Sequence, residues 1–417
     1  MARRPRDRQP DTVRVAALDV QHSYRRSAVV LGPFELPSAD LLTQRLLAMA
    51  HAGPEARVGL IPSTTSTRWR FAPESVAGAV HTISRAPQSE PTELVAHLRR
   101  LPPTSLRVLA ADDYLALDFS HGLGEIPLLD LLIAVLLGVV DPADDTLWKP
   151  YRHTTPPLVS AAARAIGLSP HRLLPLWRQH RRHAGTVSTS DPPSSTTVAS
   201  STSTRVLRIP EHDVNDIRVQ RDSHLPGVSL FAAYTCALHA AFADEGFDIE
   251  PEVTVPVDVR RYLPQGRGTL GSFSAGLSFP VEHADPRHLH DAMTDATRIA
   301  RPVANLVAGT VKAHVALRSG AQPVRTAPAR PRMRLLHSSV GEVPRSAWSF
   351  SDPAHARVLV ASDPAGPCGV TVTTSSVLGT AWLTAEFHDA VFDPERIGAA
   401  LATVPARARA LLTPRGR

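Results

Sequence analysis

The chain has 417 residues, more than one hydrophobic core usually serves, and at 43% hydrophobic residues it has enough apolar material for two globular halves. The formal net charge is +6, yet the lysines are only Lys149 and Lys312 beside abundant arginine, alanine and proline, so the basicity reflects a coding bias and nucleic-acid binding is not expected. Two cysteines, Cys236 and Cys368, lie far apart with no CxxC pair; they exclude a disulfide framework or a cysteine metal cage and suit structural thiols in a reducing cytoplasm.

In chain order, "MARRPRDRQP" is basic, but the apolar region of a secretory signal does not follow it. "PSADLLTQRLLAMAHAG" predicts a helix capped by Ser38. "YLALDFS" alternates like a half-buried strand, with Tyr114, Ala116, Asp118 and Ser120 on one face. The apolar run "IPLLDLLIAVLLGVV" is short and holds Asp130, so no membrane span is expected and the protein reads as cytoplasmic. "PLVSAAARAIGLSPHRLLPLWRQHRRH" offers two short helices.

A Ser/Thr/Pro tract at 184–204 lacks the periodicity needed for packing and divides the chain into an N-terminal lobe, 1–183, and a C-terminal lobe, 205–417. The second lobe opens with a strand, "TRVLRIP", and a helix, "VSLFAAYTCALHAAFADEG". Strands follow in "EVTVPVDVRRYL", "GSFSAGLSFPV", "MRLLHSSV", "GVTVTTSSV" and "AWLTAEFHD", interrupted by one helix over "PRHLHDAMTDATRIARPVANLV". A Pro/Arg-rich excursion is expected at 318–334. The class is α/β, mixed sheets with helices.

The segment "LDFSHGLGEIPLLD" carries the clearest chemistry. His121 ends a strand and enters a glycine loop, which presents an imidazole at an element end, where a neutral ring can take a proton from a hydroxyl or amine. The clusters "HADPRHLH" and "HRRH" lack convincing metal-ligand spacing, so no metal is expected; no phosphate-cradling glycine motif occurs.

"SHGLGE" resembles the HxxxD signature of the CoA-dependent acyltransferase superfamily, which includes chloramphenicol acetyltransferase, plant BAHD acyltransferases, wax ester synthases, polyketide-associated acyltransferases and nonribosomal peptide condensation domains. "VTVPVDVRRYL", "LGSFSAGLSFPV" and "RLLHSSVGEVP" are similar to further motifs of that family and fall in its order, as does the strand, turn, strand and helix of the C-terminal region. The resemblance implies two chloramphenicol-acetyltransferase-like lobes of mixed sheet plus helices with a tunnel between them. It implies His121 as general base and Glu125 in a structural pair with Arg260. Ser339, with Ser338, is implied as an oxyanion donor, and Gly122, Gly124, Ser272 and Ser274 as tunnel residues. Departures from the family pattern are Ser120 for the first histidine, Glu125 for aspartate, Ile126 for glycine, and Ser272 and Ser339 for asparagines.

The implied activity moves an acyl group from a CoA or carrier-protein thioester to a hydroxyl or amine of a small-molecule acceptor in secondary metabolism. No tightly bound cofactor is called for; acyl-CoA or a phosphopantetheinyl acyl or peptidyl carrier protein supplies the acyl group. Two alternatives stay open: a non-catalytic condensation-like module that recruits a partner to a carrier protein, and a cyclase or eliminase using the same histidine.

Overall fold

The computed structural model describes residues 11–84, 90–172, 174–176, 195–197, 202–281, 284–320, 326–344 and 347–413. Two mixed sheets organise it. The first has five strands in the order Arg357–Ser362, Arg26–Gly32, Tyr114–Ser120, Leu106–Ala111 and Val80–Ile83. The second has six, in the order Ser274–Pro280, Glu252–Asp258, Arg334–Val343, Gly369–Val377, Thr380–Phe387 and Ser203–Ile209.

The edge strand Arg357–Ser362 comes from the second half of the sequence, but it pairs antiparallel with Arg26–Gly32 of the first sheet. The chain therefore crosses back after 343 and stitches the halves together. Phe34 packs against Trp348 and Phe350 along this return, with ring centroids 5.7 and 5.3 Å away. A second tie joins the helix Pro91–Arg100 to the second sheet, because Arg99 Nη2 donates to the fully buried Glu386 at 2.6 Å.

Most of the 184–204 tract lies outside the described residues; within it, Ser195–Thr197 pairs antiparallel with Thr326–Pro328. The latter strand falls in the expected excursion at 318–334, of which 321–325 lie outside the described residues.

The expected helix Ala39–His51 forms, and Ser38 Oγ accepts from Leu41 N at 3.3 Å. The helix expected from 286 breaks into Pro286–Arg298 and Arg301–Ser319. Ala300 turns left-handed, at φ 59°, and Pro302 opens the second helix, where its missing N–H costs nothing. Tyr114–Ser120 is buried along its whole length rather than half-buried. Its polar Asp118 is accommodated because Arg26 pairs with it through Nε at 3.1 Å and through a second, shorter contact from Nη2, while Arg107 Nη1 lies at 3.4 Å. A buried carboxylate needs such partners.

Candidate functional site

Strand Tyr114–Ser120 delivers His121 into a short helical turn, His121–Leu123. The backbone N of His121 donates to Arg25 O at 2.8 Å, and ring Nδ1 sits 2.9 Å from Ser27 Oγ. With Nδ1–H donating to that hydroxyl, Nε2 carries the lone pair, and among the described residues it has no hydrogen-bond partner. Burial, then the Arg25 guanidinium and His22, holds the His121 imidazole well below the ordinary histidine pKa, so the ring is neutral at physiological pH.

The glycines around His121 are there for packing. A Cβ on Gly122 would lie 2.2 Å from Ser23 Oγ and 2.3 Å from Asp19 O; one on Gly124 would lie 2.4 Å from Leu270 O. The loop thus presses against the helix Ala17–His22 on one side and against the second lobe on the other. Arg57 holds it from behind, donating from Nη2 to Gly122 O at 2.9 Å and from Nε to Leu123 O, and pairing with Asp19 at 2.9 Å.

Glu125 leads into the helix Ile126–Leu136. Its Oε2 accepts from Arg260 Nη1 at 2.8 Å and from Ser274 Oγ at 2.8 Å, and Oε1 accepts from Ser274 N at 3.2 Å. Arg260 also donates from Nε to Thr269 O and from Nη2 to Gly271 O, both at 2.6 Å. The longer glutamate therefore reaches the arginine across the lobes. Ile126 begins the helix, where a branched residue fits the backbone, and its side chain lines the cavity without plugging it.

That cavity, about 240 Å³, lies between the sheets. The first lobe contributes His22, Arg25, His121 and Gly124 beside apolar Val29, Phe119 and Leu129, and the strand Arg357–Ser362 that joins its sheet adds Val360. Facing them are Ser274, Ser338, Thr371 and Thr373 of the second sheet. Of the expected tunnel residues, Gly124 and Ser274 line this space; Gly122 and Ser272 stand behind it. Ser272 donates its backbone N to Asp19 at 2.9 Å and sits 3.0 Å from His22 Nδ1. Ser339 departs from expectation: strand alternation turns it outward, exposed, with Oγ accepting from Gly341 N at 3.1 Å, so Ser338 is the serine facing the cavity.

Sequence reasoning missed His22, Arg25 and Ser27. The His22 ring lies 5.2 Å from that of His121, and burial followed by Arg25 pushes its pKa down to about 4 against smaller upward pulls from Glu125 and Asp19. "QHSYRRS" carries no spacing signal; these residues reach the site only because Arg26–Gly32 pairs with Tyr114–Ser120. Cys236 and Cys368 are buried and free, and burial raises the Cys236 thiol to about 12, far from a nucleophile.

No protein-family model matches the sequence, and no curated protein is similar to it. Solved structures are. TRI3 trichothecene 15-O-acetyltransferase from Fusarium sporotrichioides superposes with a TM-score of 0.68 at 11% identity, over 96% of this chain and 95% of its own. The first condensation domain of the calcium-dependent antibiotic synthetase gives 0.60 at 13% identity, over 97% of each chain. The starter condensation domain of rhizomide synthetase RzmA, in complex with C8-CoA, gives 0.59 at 14%, over 96% and 95%. The chain shares the two-lobed fold of these acetyltransferase and condensation-domain structures. Within that fold, the cavity lies between the lobes, with His121 on its wall. Among the described residues, no helix is long and apolar enough to cross a membrane.

Proposed function

We propose that the protein is an acyltransferase that moves an acyl group from a thioester, on CoA or a phosphopantetheinyl carrier, to a hydroxyl or amine. The observation that carries this is a neutral, oriented His121 on the wall of an inter-lobe cavity, its second ring nitrogen unpartnered among the described residues. The similar solved structures include an acetyltransferase and a condensation domain in complex with an acyl-CoA, which supports thioester chemistry in such a cavity.

In the proposed reaction, His121 Nε2 takes the proton from the acceptor O–H or N–H while that atom forms its bond to the thioester carbonyl carbon. Ser338 donates to the resulting oxyanion. The C–S bond then breaks, and the leaving thiolate takes the proton from the imidazolium, which returns the ring to its neutral state. Glu125 has both oxygens engaged and acts as a brace for the histidine loop. A purely recruiting module needs no cavity beside His121, so the open space favours chemistry.

The test is turnover: acyl-CoA and acyl-pantetheine thioesters are offered with hydroxyl and amine acceptors, and thiol release is followed with product mass. Acceptor-dependent thiol release that His121→Ala abolishes supports the reading; its absence with every thioester on either carrier overturns it.

A further inference from the structure

The cavity wall holds one cation that the proposed reaction does not use. Arg25 lies in the turn between the helix Ala17–His22 and the strand Arg26–Gly32, and its side chain lines the cavity with His22, Ser27 and His121. Its Nε donates to the main-chain oxygen of Asp363 at 2.9 Å; among the described residues, Nη1 and Nη2 have no partner.

The nearby carboxylates are committed elsewhere. Asp363 takes Arg99 Nη1 at 3.2 Å and the backbone N of Arg26 at 2.7 Å. Glu386 takes Arg99 Nη2 at 2.6 Å and Thr202 Oγ1 at 2.5 Å. Asp118 takes Arg26 and Arg107, and Glu125 takes Arg260 and Ser274. At the cavity end of the first sheet the guanidiniums of Arg25, Arg26, Arg99 and Arg107 share the carboxylates of Asp118, Asp363 and Glu386; Arg26, Arg99 and Arg107 pair with them directly, whereas Arg25 feels those of Asp363 and Glu386 only through space and, among the described residues, makes no ion pair. A half-buried guanidinium beside apolar Val29, Phe119 and Val360 has a planar fork suited to a carboxylate.

We propose that Arg25 is a specificity residue that receives a carboxylate of the substrate and so brings the reacting group of a small carboxylic acid to His121. The proposal rests on the acyl-transfer reading of the site. The carboxylate belongs either to the acceptor, as in a hydroxy acid, or to the acyl group, as in a dicarboxylic half-thioester; the recognition chemistry is the same.

Isothermal titration calorimetry on the full chain separates these sources with two isosteric pairs. One is 3-hydroxybutyrate against 3-hydroxybutyramide; the other is succinyl-pantetheine against its terminal amide. In one of the pairs the acid binds the wild type about 10–100-fold tighter than the amide, as expected for hydrogen bonds to charged groups. The preference falls to near parity in Arg25→Met and is reduced but retained in Arg25→Lys, which keeps the charge and loses the fork. It persists in His121→Ala, because the readout is binding. Equal affinities within both pairs for the wild type, or an unchanged preference in Arg25→Met, overturn the proposal; if Arg25→Met does not fold, an undiminished preference in Arg25→Lys does so. Turnover of neutral substrates without acid preference would remove the role of Arg25 alone, whereas acid preference without any acyl transfer would remove the acyltransferase reading and leave the carboxylate site.

Discussion

Replacing Arg260 by Met tests the cross-lobe brace. The Arg260 and Glu125 side chains are 11% and 10% exposed, so this is not a surface pair. Loss of Arg260 leaves the Glu125 carboxylate with only the two Ser274 donors, and breaking a buried pair in this way costs about 3–5 kcal/mol. Glu125→Gln costs less, because Arg260 keeps the Thr269 and Gly271 oxygens and Asp258 at 3.0 Å. For 417 residues melting as one unit, an unfolding entropy of about 0.9 kcal/mol/K turns 3–5 kcal/mol into a melting temperature lower by roughly 3–6 °C. The control is Arg298→Met, which breaks the exposed pair with Asp295 and costs about 0–1 kcal/mol. Differential scanning calorimetry on wild type, the three single variants and the Glu125→Gln/Arg260→Met double variant gives both the costs and the coupling. The double variant costs less than the sum of the two single variants if the two groups act as a pair. An Arg260→Met protein that melts with the Arg298→Met control refutes the brace.

His121→Ala lowers kcat/KM by about 10²–10⁴-fold, as loss of a general base does, without lowering the melting temperature by more than the control; full turnover by this variant would rule out the role. Because the His121 pKa lies well below the ordinary histidine value, the kcat/KM profile of the wild type stays flat from pH 8 through 6.5, and a titration limb centred near 6.5 would contradict a pre-neutralised base. His22 is neutral when folded down to about pH 4 but takes a proton near 6.5 when unfolded; its stability contribution is complete above 6.5 and falls by up to about 3 kcal/mol as pH drops to 4. Urea midpoints measured across that window shift less in His22→Gln, and equal shifts would exclude this linkage. Ser338→Ala slows the chemical step and Ser339→Ala does not; the reverse order in single-turnover rates would place the oxyanion on the other face of the strand.

How much of this was legible in the sequence depended on how local each signal was. The order of motifs carried the lobes, because each motif sits within one strand and its flanking turn, and the strand signals in "EVTVPVDV" and "GVTVTTSSV" needed only their own β-branched residues. Glu125 and Arg260 were readable as partners only through family resemblance, since 135 residues separate them. The strand Arg357–Ser362 in the first sheet was not legible, because its own composition is the same whichever sheet it joins. Asp118 misled in the same way: alternation marked a polar face, and the arginines that bury it come from other strands. His22, Arg25 and Ser27 escaped because no short spacing links them to His121; they meet it through strand pairing and a helix end.

The geometry of the histidine therefore depends on ties that cross between the lobes more than on the loop that carries it. Glu125 is on the first lobe and Arg260 and Ser274 are on the second. Asp19, which pairs with Arg57 behind the loop, accepts the backbone N of Ser272 from the second lobe, and Ser272 in turn meets His22. Two independent polar chains thus fix the loop against the opposite lobe, at the level where the cavity opens. A shift of one lobe against the other would break charged contacts in both chains, so the imidazole and the facing hydroxyls of Ser338 and Thr373 are held at a set separation before any substrate arrives. Such pre-organisation is what a proton transfer timed with carbonyl attack requires, because reorientation during the reaction would add to its barrier. It also accounts for a carboxylate four residues from the histidine whose two oxygens are both engaged by Arg260 and Ser274, as a brace in the proposed reaction.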